Sequence, residues 1–123
     1  MIVLDTNALM MPVECDVRVF EELDRLGFSE YVIPSAVEDE LAKLADGAGE
    51  EAVAASVGLD LADRCAVRET EAGYADDAVL ELATGADVSH AVTNDQPLRD
   101  RLLDRGVPVI GLRGQNKLAI TQP

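Results

Sequence analysis

The sequence predicts an α/β fold in three layers, a parallel five-stranded sheet with helices on both faces. Three observations lead there. Short apolar runs alternate with longer amphipathic segments, the order of strand and helix that winds a parallel sheet. The apolar runs are continuous, as in strands buried on both faces. The chain has 123 residues, 48% of them hydrophobic, enough for one domain over residues 1–123 with its own core.

The elements follow in order. Residues 1–5 (MIVLD) read as a buried strand ending in an acid. Asp16 is the expected N-cap of a helix over 17–26, where Val17, Phe20, Leu23 and Leu26 recur at helical spacing and Gly27 stops it. Residues 31–34 (YVIP) make the second strand. A helix opens at Ser35, which with Glu38 matches a capping box, and Val37, Leu41 and Leu44 form its apolar stripe. Residues 48–64 predict a third helix with Val53, Val57 and Leu61 on one face, and 65–70 a short strand. A helix over 75–84 lies between Gly73 and Gly85. Residues 88–93 (VSHAVT) make the next strand. Pro97 fits the first turn of a helix ending before Gly106, and 107–112 (VPVIGL) make the last strand. Residues 113–123 read as a loose tail.

Composition narrows the chemistry. No apolar stretch approaches the roughly 20 residues of a membrane helix, and MIVLDTNALMMP resembles neither a signal peptide nor an anchor. The expectation is a cytoplasmic protein without membrane contact. Cys15 and Cys65 lack C-x-x-C spacing and His90 is the sole histidine, so two free thiols are expected and no zinc site. The net charge is −14, from 24 acidic and 10 basic residues, of which only Lys43 and Lys117 are lysines. This acidic, lysine-poor composition resembles that of halophilic proteins. Such a charge opposes phosphate binding, yet at molar salt the screening length falls to about 3 Å.

Most of the acids must be bland solvated groups, so position decides among them. Asp5 and Asp95 each end an apolar strand, and ligands of open α/β sheets bind beyond the carboxyl ends of strands. If those strands are neighbours, the two carboxylates meet. As a structural alternative, each acid is a turn or cap residue. At about 100° per residue, Glu40 lies on the side of Leu44, whereas Glu38 and Asp39 face outward. By the same rotation Asp76 falls near Val79 and Asp77 points away. Four gathered acids raise one another's pKa unless a cation joins them, and oxygen-only ligands favour Mg²⁺ or Mn²⁺. Thr6, Asn7, Thr93 and Asn94 flank the strand-end acids and suit the task of orienting them, as Asp77 suits a place beside Asp76.

These residues carry a resemblance. D-T-N-A-L at 5–9, V-I-P-S-A-V-E-D-E-L at 32–41, Y-A-D-D-A-V-L-E-L-A at 74–83 and V-T-N-D at 92–95 together resemble the ordered motifs of PIN-domain ribonucleases. The details resemble the archaeal branch related to the eukaryotic small-subunit rRNA-processing nuclease, with the toxin-type PIN ribonucleases as neighbouring branch. The resemblance implies the sheet order 3-2-1-4-5, which sets the strands of Asp5 and Asp95 side by side. It implies Mg²⁺- or Mn²⁺-dependent endonucleolytic cleavage of single-stranded RNA, with Asp5, Glu40, Asp76 and Asp95 as catalytic metal ligands. It implies a homodimer, and either an antitoxin or a ribosome-assembly partner. The chain departs from the family in its sparse basic residues. Arg99, Arg101, Arg105, Arg113 and Lys117 are the candidates for gripping RNA. The alternative is a PIN fold kept as a docking or RNA-binding subunit with little catalysis. A response-regulator receiver is disfavoured, because Thr6 rather than a second acid follows Asp5.

Overall fold

The computed structural model describes residues 1–123. Twelve elements follow one another: β1 (Ile2–Leu4), α1 (Thr6–Glu14), α2 (Val19–Arg25), β2 (Tyr31–Pro34), α3 (Ser35–Ala45), α4 (Gly49–Ala62), β3 (Ala66–Arg68), α5 (Ala75–Ala83), β4 (His90–Val92), α6 (Gln96–Asp104), β5 (Val109–Arg113) and β6 (Lys117–Thr121). The sheet runs β3-β2-β1-β4-β5-β6, the expected order with a sixth strand added at one edge.

β1 is central and its three residues are fully buried. It pairs in parallel with β2 on one side (Val3 opposite Val32) and with β4 on the other (Val3 opposite Ala91). The chain winds outward through β2 and β3, then crosses back to β4. That reversal opens a crevice beyond the carboxyl ends of β1 and β4, where Asp5 and Asp95 lie.

Four local expectations are corrected. Residues 6–14, unassigned from sequence, form α1. Asp5 is its N-cap, and Ala8, Leu9, Met10 and Met11 are buried. Pro12 lies inside it and the segment has no charged stripe, so both usual helix signals were hidden. Asp16 is not an N-cap; it has a φ of 53°, and the next helix begins at Val19 behind Arg18. The capping box does not form. Pro34 occupies the cap position of α3, and the Ser35 hydroxyl donates to Glu69 Oε2 at 3.2 Å. On α4 the buried face is Ala54, Ala55, Gly58 and Ala62, while Val53 is 56% exposed. The reason is close helix approach. A Cβ on Gly58 would stand 3.1 Å from the Leu9 carbonyl oxygen and from Leu41 Cδ2, so only small residues fit against α1 and α3.

The expected loose tail is instead β6, antiparallel to β5 with Leu112 opposite Leu118. Leu118 is buried in the core. A buried carboxylate anchors the strand: Glu22 Oε1 accepts from the Leu118 N–H at 2.9 Å. Arg25 donates to Glu22 Oε1 at 2.9 Å and to the Leu118 carbonyl at 2.8 Å. Those partners hold the Glu22 carboxyl down to about 2, with the Arg25 hydrogen bond as the main cause. Cys15 and Cys65 are free thiols. No helix is long and apolar enough to cross a membrane.

Candidate active site

The site begins with two helix caps. Asp5 follows β1, and its Oδ1 accepts from the Ala8 N–H at 2.7 Å, capping α1. Asp95 follows β4, and its Oδ1 accepts from the Leu98 N–H at 3.0 Å, capping α6 with Pro97 in the first turn. Capping was the structural alternative for both acids in the sequence, and both are indeed caps, lining one cleft. The caps set the orientation of both carboxylates and aim two positive helix ends at one crevice.

Thr93 joins the two acids. Its hydroxyl donates to Asp5 Oδ2 and accepts from the Asp95 N–H at 3.0 Å. Asn7 Oδ1 accepts from the Asn94 N–H at 3.1 Å, tying the start of α1 to the end of β4. Of the four polar companions only Thr93 contacts the carboxylates; the Asn7 side chain bonds backbone, and Asn94 enters through its backbone N–H. The fourth, Thr6, is buried with its hydroxyl unpartnered in the protein.

Asp5, Glu40, Asp76 and Asp95 all line one cleft of about 340 Å³, together with Thr6, Asn7 and Met10. Two further carboxylates line it, Glu14 at the end of α1 and Glu51 in the first turn of α4. Sequence reasoning missed both. For Glu14 a signal existed: Asn7, Met10 and Glu14 recur at helical spacing once α1 is granted. Asp76 is the more open of the α5 pair, against the expectation that it packs on the apolar face. Asp77 is held aside, its Oδ1 accepting from Arg101 at 2.7 Å.

No cationic side chain lines this cleft. Asp5 is 3% exposed. Burial lifts its carboxyl to about 7, the Thr93 and Ala8 bonds partly offset that rise, and Asp76 and Asp95 add to it. The Asp76 carboxyl is also raised, first by burial and then by Asp95 and Glu40, with Arg101 opposing. As the side chains stand, no three of these acids make a ready coordination shell. The donor set is nevertheless all oxygen, and a cation bound there would offset the neighbouring acids that help to raise Asp5. Carboxylates and hydroxyls around one cleft fit Mg²⁺ or Mn²⁺.

The basic candidates divide. Arg99 and Arg113 line a polar hollow of about 240 Å³ with Thr93, Asn94, Gln96 and Thr121, on the other side of the end of β4. Arg101 sits with Asp77 beside Asp76. Lys117 lies 3.8 Å from Glu22, and neither it nor Arg105 lines the cleft or the hollow.

Comparison with known proteins agrees with this architecture. Ribonuclease VapC9 of Archaeoglobus fulgidus is 34% identical over 119 residues, covering 96% of this chain and 87% of that protein. Ribonuclease VapC4 of Methanocaldococcus jannaschii is 29% identical over 117 residues, 91% of this chain and 89% of that protein. The solved structure of the PIN domain endonuclease Utp24 superposes with a TM-score of 0.79 over 99% of this chain and 91% of that one; at 23% identity it bears on the fold. Residues 2–115 match the family described as PIN like domain, and the chain belongs to that family.

Proposed function

We propose that this chain is a divalent-metal-dependent endoribonuclease that hydrolyses phosphodiester bonds of single-stranded RNA. Asp5, Glu40, Asp76 and Asp95 would hold Mg²⁺ or Mn²⁺. The observation that carries this reading is a cleft lined by six carboxylates and no cation, one of them buried enough to sit near 7. Two relatives that bear the name ribonuclease support RNA as the substrate.

When bound, such an ion polarises the phosphate and activates water for in-line attack. The protein's own share is positional. Thr93 and the two helix caps fix Asp5 and Asp95, so that both carboxylates would meet a bound ion already oriented. Arg99 and Arg113 offer a phosphate contact on one flank, Arg101 on the other. rRNA maturation beside a ribosome-assembly partner and toxin-type cleavage restrained by an antitoxin share this chemistry, and an adjacent antitoxin gene distinguishes them.

The test is cleavage of labelled single-stranded RNA in molar KCl with Mn²⁺ or EDTA. Wild type should cut only with metal, and folded Asp5→Asn and Asp76→Asn should not cut. A folded wild type that binds Mn²⁺ yet cuts no RNA overturns the nuclease reading in favour of a docking subunit.

A further inference from the structure

Three of the four phenylalanine and tyrosine rings work inside the molecule. Phe20 and Tyr31 meet edge to face at 4.9 Å between centroids, and Phe28 packs edge-on against His90 at 4.8 Å. Tyr74 does not. It is 81% exposed, so its ring adds little to the core. It occupies the cap position of α5, immediately before Asp76 and Asp77 in the first turn. There it lines a hollow of about 310 Å³ with Glu40, Asp76, Asp77 and Arg101. Glu40 and Asp76 also line the acidic cleft, so the hollow opens directly beside it.

We propose that Tyr74 is a stacking platform for a base of single-stranded RNA, next to the nucleotide whose phosphate enters the acidic cleft. The proposal rests on the nuclease reading and adds how the substrate is held. Net charge is −14, so long-range attraction of phosphates is unavailable, and at high salt it is screened in any case. Arg101, the one cation of the hollow, is already paired with Asp77. Stacking needs no net charge, and every base presents a π-face. It also selects for single strands, since duplex bases are stacked on one another. Tyr74 is thus a substrate-positioning residue at the cleft rim.

The experiment compares wild type, Tyr74→Ala and Tyr74→Phe on a short single-stranded RNA with Mn²⁺. The ring is exposed, so truncation leaves the fold intact. Tyr74→Ala should lower kcat/KM about 5- to 150-fold, chiefly through KM because the stack forms before the chemical step. Tyr74→Phe should retain most of the activity. An abasic nucleotide walked along the RNA should, at one position, cost wild type the same factor and cost Tyr74→Ala nothing more. Equal kinetics for wild type and Tyr74→Ala, or an abasic penalty unchanged by the variant, overturns the platform while leaving the nuclease standing. A wild type that cuts no RNA overturns both.

Discussion

Replacing Asp5 with asparagine should make the metal-free protein more stable, although most substitutions of buried polar groups do the reverse. Burial lifts the Asp5 carboxyl from 3.8 to about 7. A shift of roughly 3 units, at about 1.4 kcal/mol each, corresponds to about 4 kcal/mol. The folded state binds the proton more tightly than the unfolded one. Stability from this group is therefore fully present below pH 3.8, declines as pH rises, and is lost above about 7. Asparagine carries no charge to bury and caps α1 about as well as aspartate. It has one acceptor oxygen where the carboxylate uses two, on Ala8 and Thr93, and the lost bond offsets about 1–2 kcal/mol. The net gain at pH 8 in EDTA is about 2–3 kcal/mol, read as an increase in Tm of about 5–15 °C. The advantage should disappear below about pH 4, where aspartate is neutral in both states. Added Mn²⁺ should raise the wild-type Tm and leave the variant's unchanged. Thermal unfolding followed by circular dichroism decides it. An Asp5→Asn protein no more stable than wild type in EDTA at pH 8 refutes the claim that this cleft carries uncompensated negative charge.

Glu22→Gln should cost about 2–3 kcal/mol at pH 7, because it removes a charged acceptor from the Leu118 N–H and from Arg25. Urea unfolding checks it, and the difference should shrink as pH falls from about 4.5 toward 2, where the wild-type carboxylate becomes protonated. Thr93→Val should lower RNA cleavage about 10- to 100-fold while preserving the fold, since it leaves Asp5 and Asp95 without their shared orienting hydroxyl; initial rates at saturating Mn²⁺ measure it. Gly58→Val should destabilise by about 1–3 kcal/mol, because backbone at Leu9 stands in the way; chemical unfolding measures it.

What the sequence made legible follows the strength of local signals. The strands of the sheet interior are short apolar runs, and Asp5 and Asp95 were readable as a pair because both close strands that lie side by side, although each alone had the cap explanation that the structure also gives it. Glu40 and Asp76 were singled out by helical rotation toward the apolar faces; both line the cleft, but both are exposed, so the rotation placed neither against the core. α1 was illegible because Pro12 lies inside it and its polar residues are few, and Glu14 was lost with it. The small-residue face of α4 runs against the rule that larger apolar groups point inward; it answers to the close approach of Leu9 and Leu41, which no local pattern records. β6 looked like a tail because its anchor is Glu22, 96 residues away in the chain. Tyr74 had no signal beyond being an aromatic residue beside an acidic pair, and its exposure marked it out.

The measurement that bears most directly on the central claim is a calorimetric titration of Mn²⁺ into the wild-type protein, in two buffers of different ionisation enthalpy. With Asp5 near 7, saturable binding at pH 7 should release about half a proton per ion, falling to almost none at pH 9. Asp76→Asn should weaken or abolish the binding. Failure to bind Mn²⁺ saturably, or binding without proton release at pH 7, would contradict a cleft in which the cation replaces the proton on Asp5.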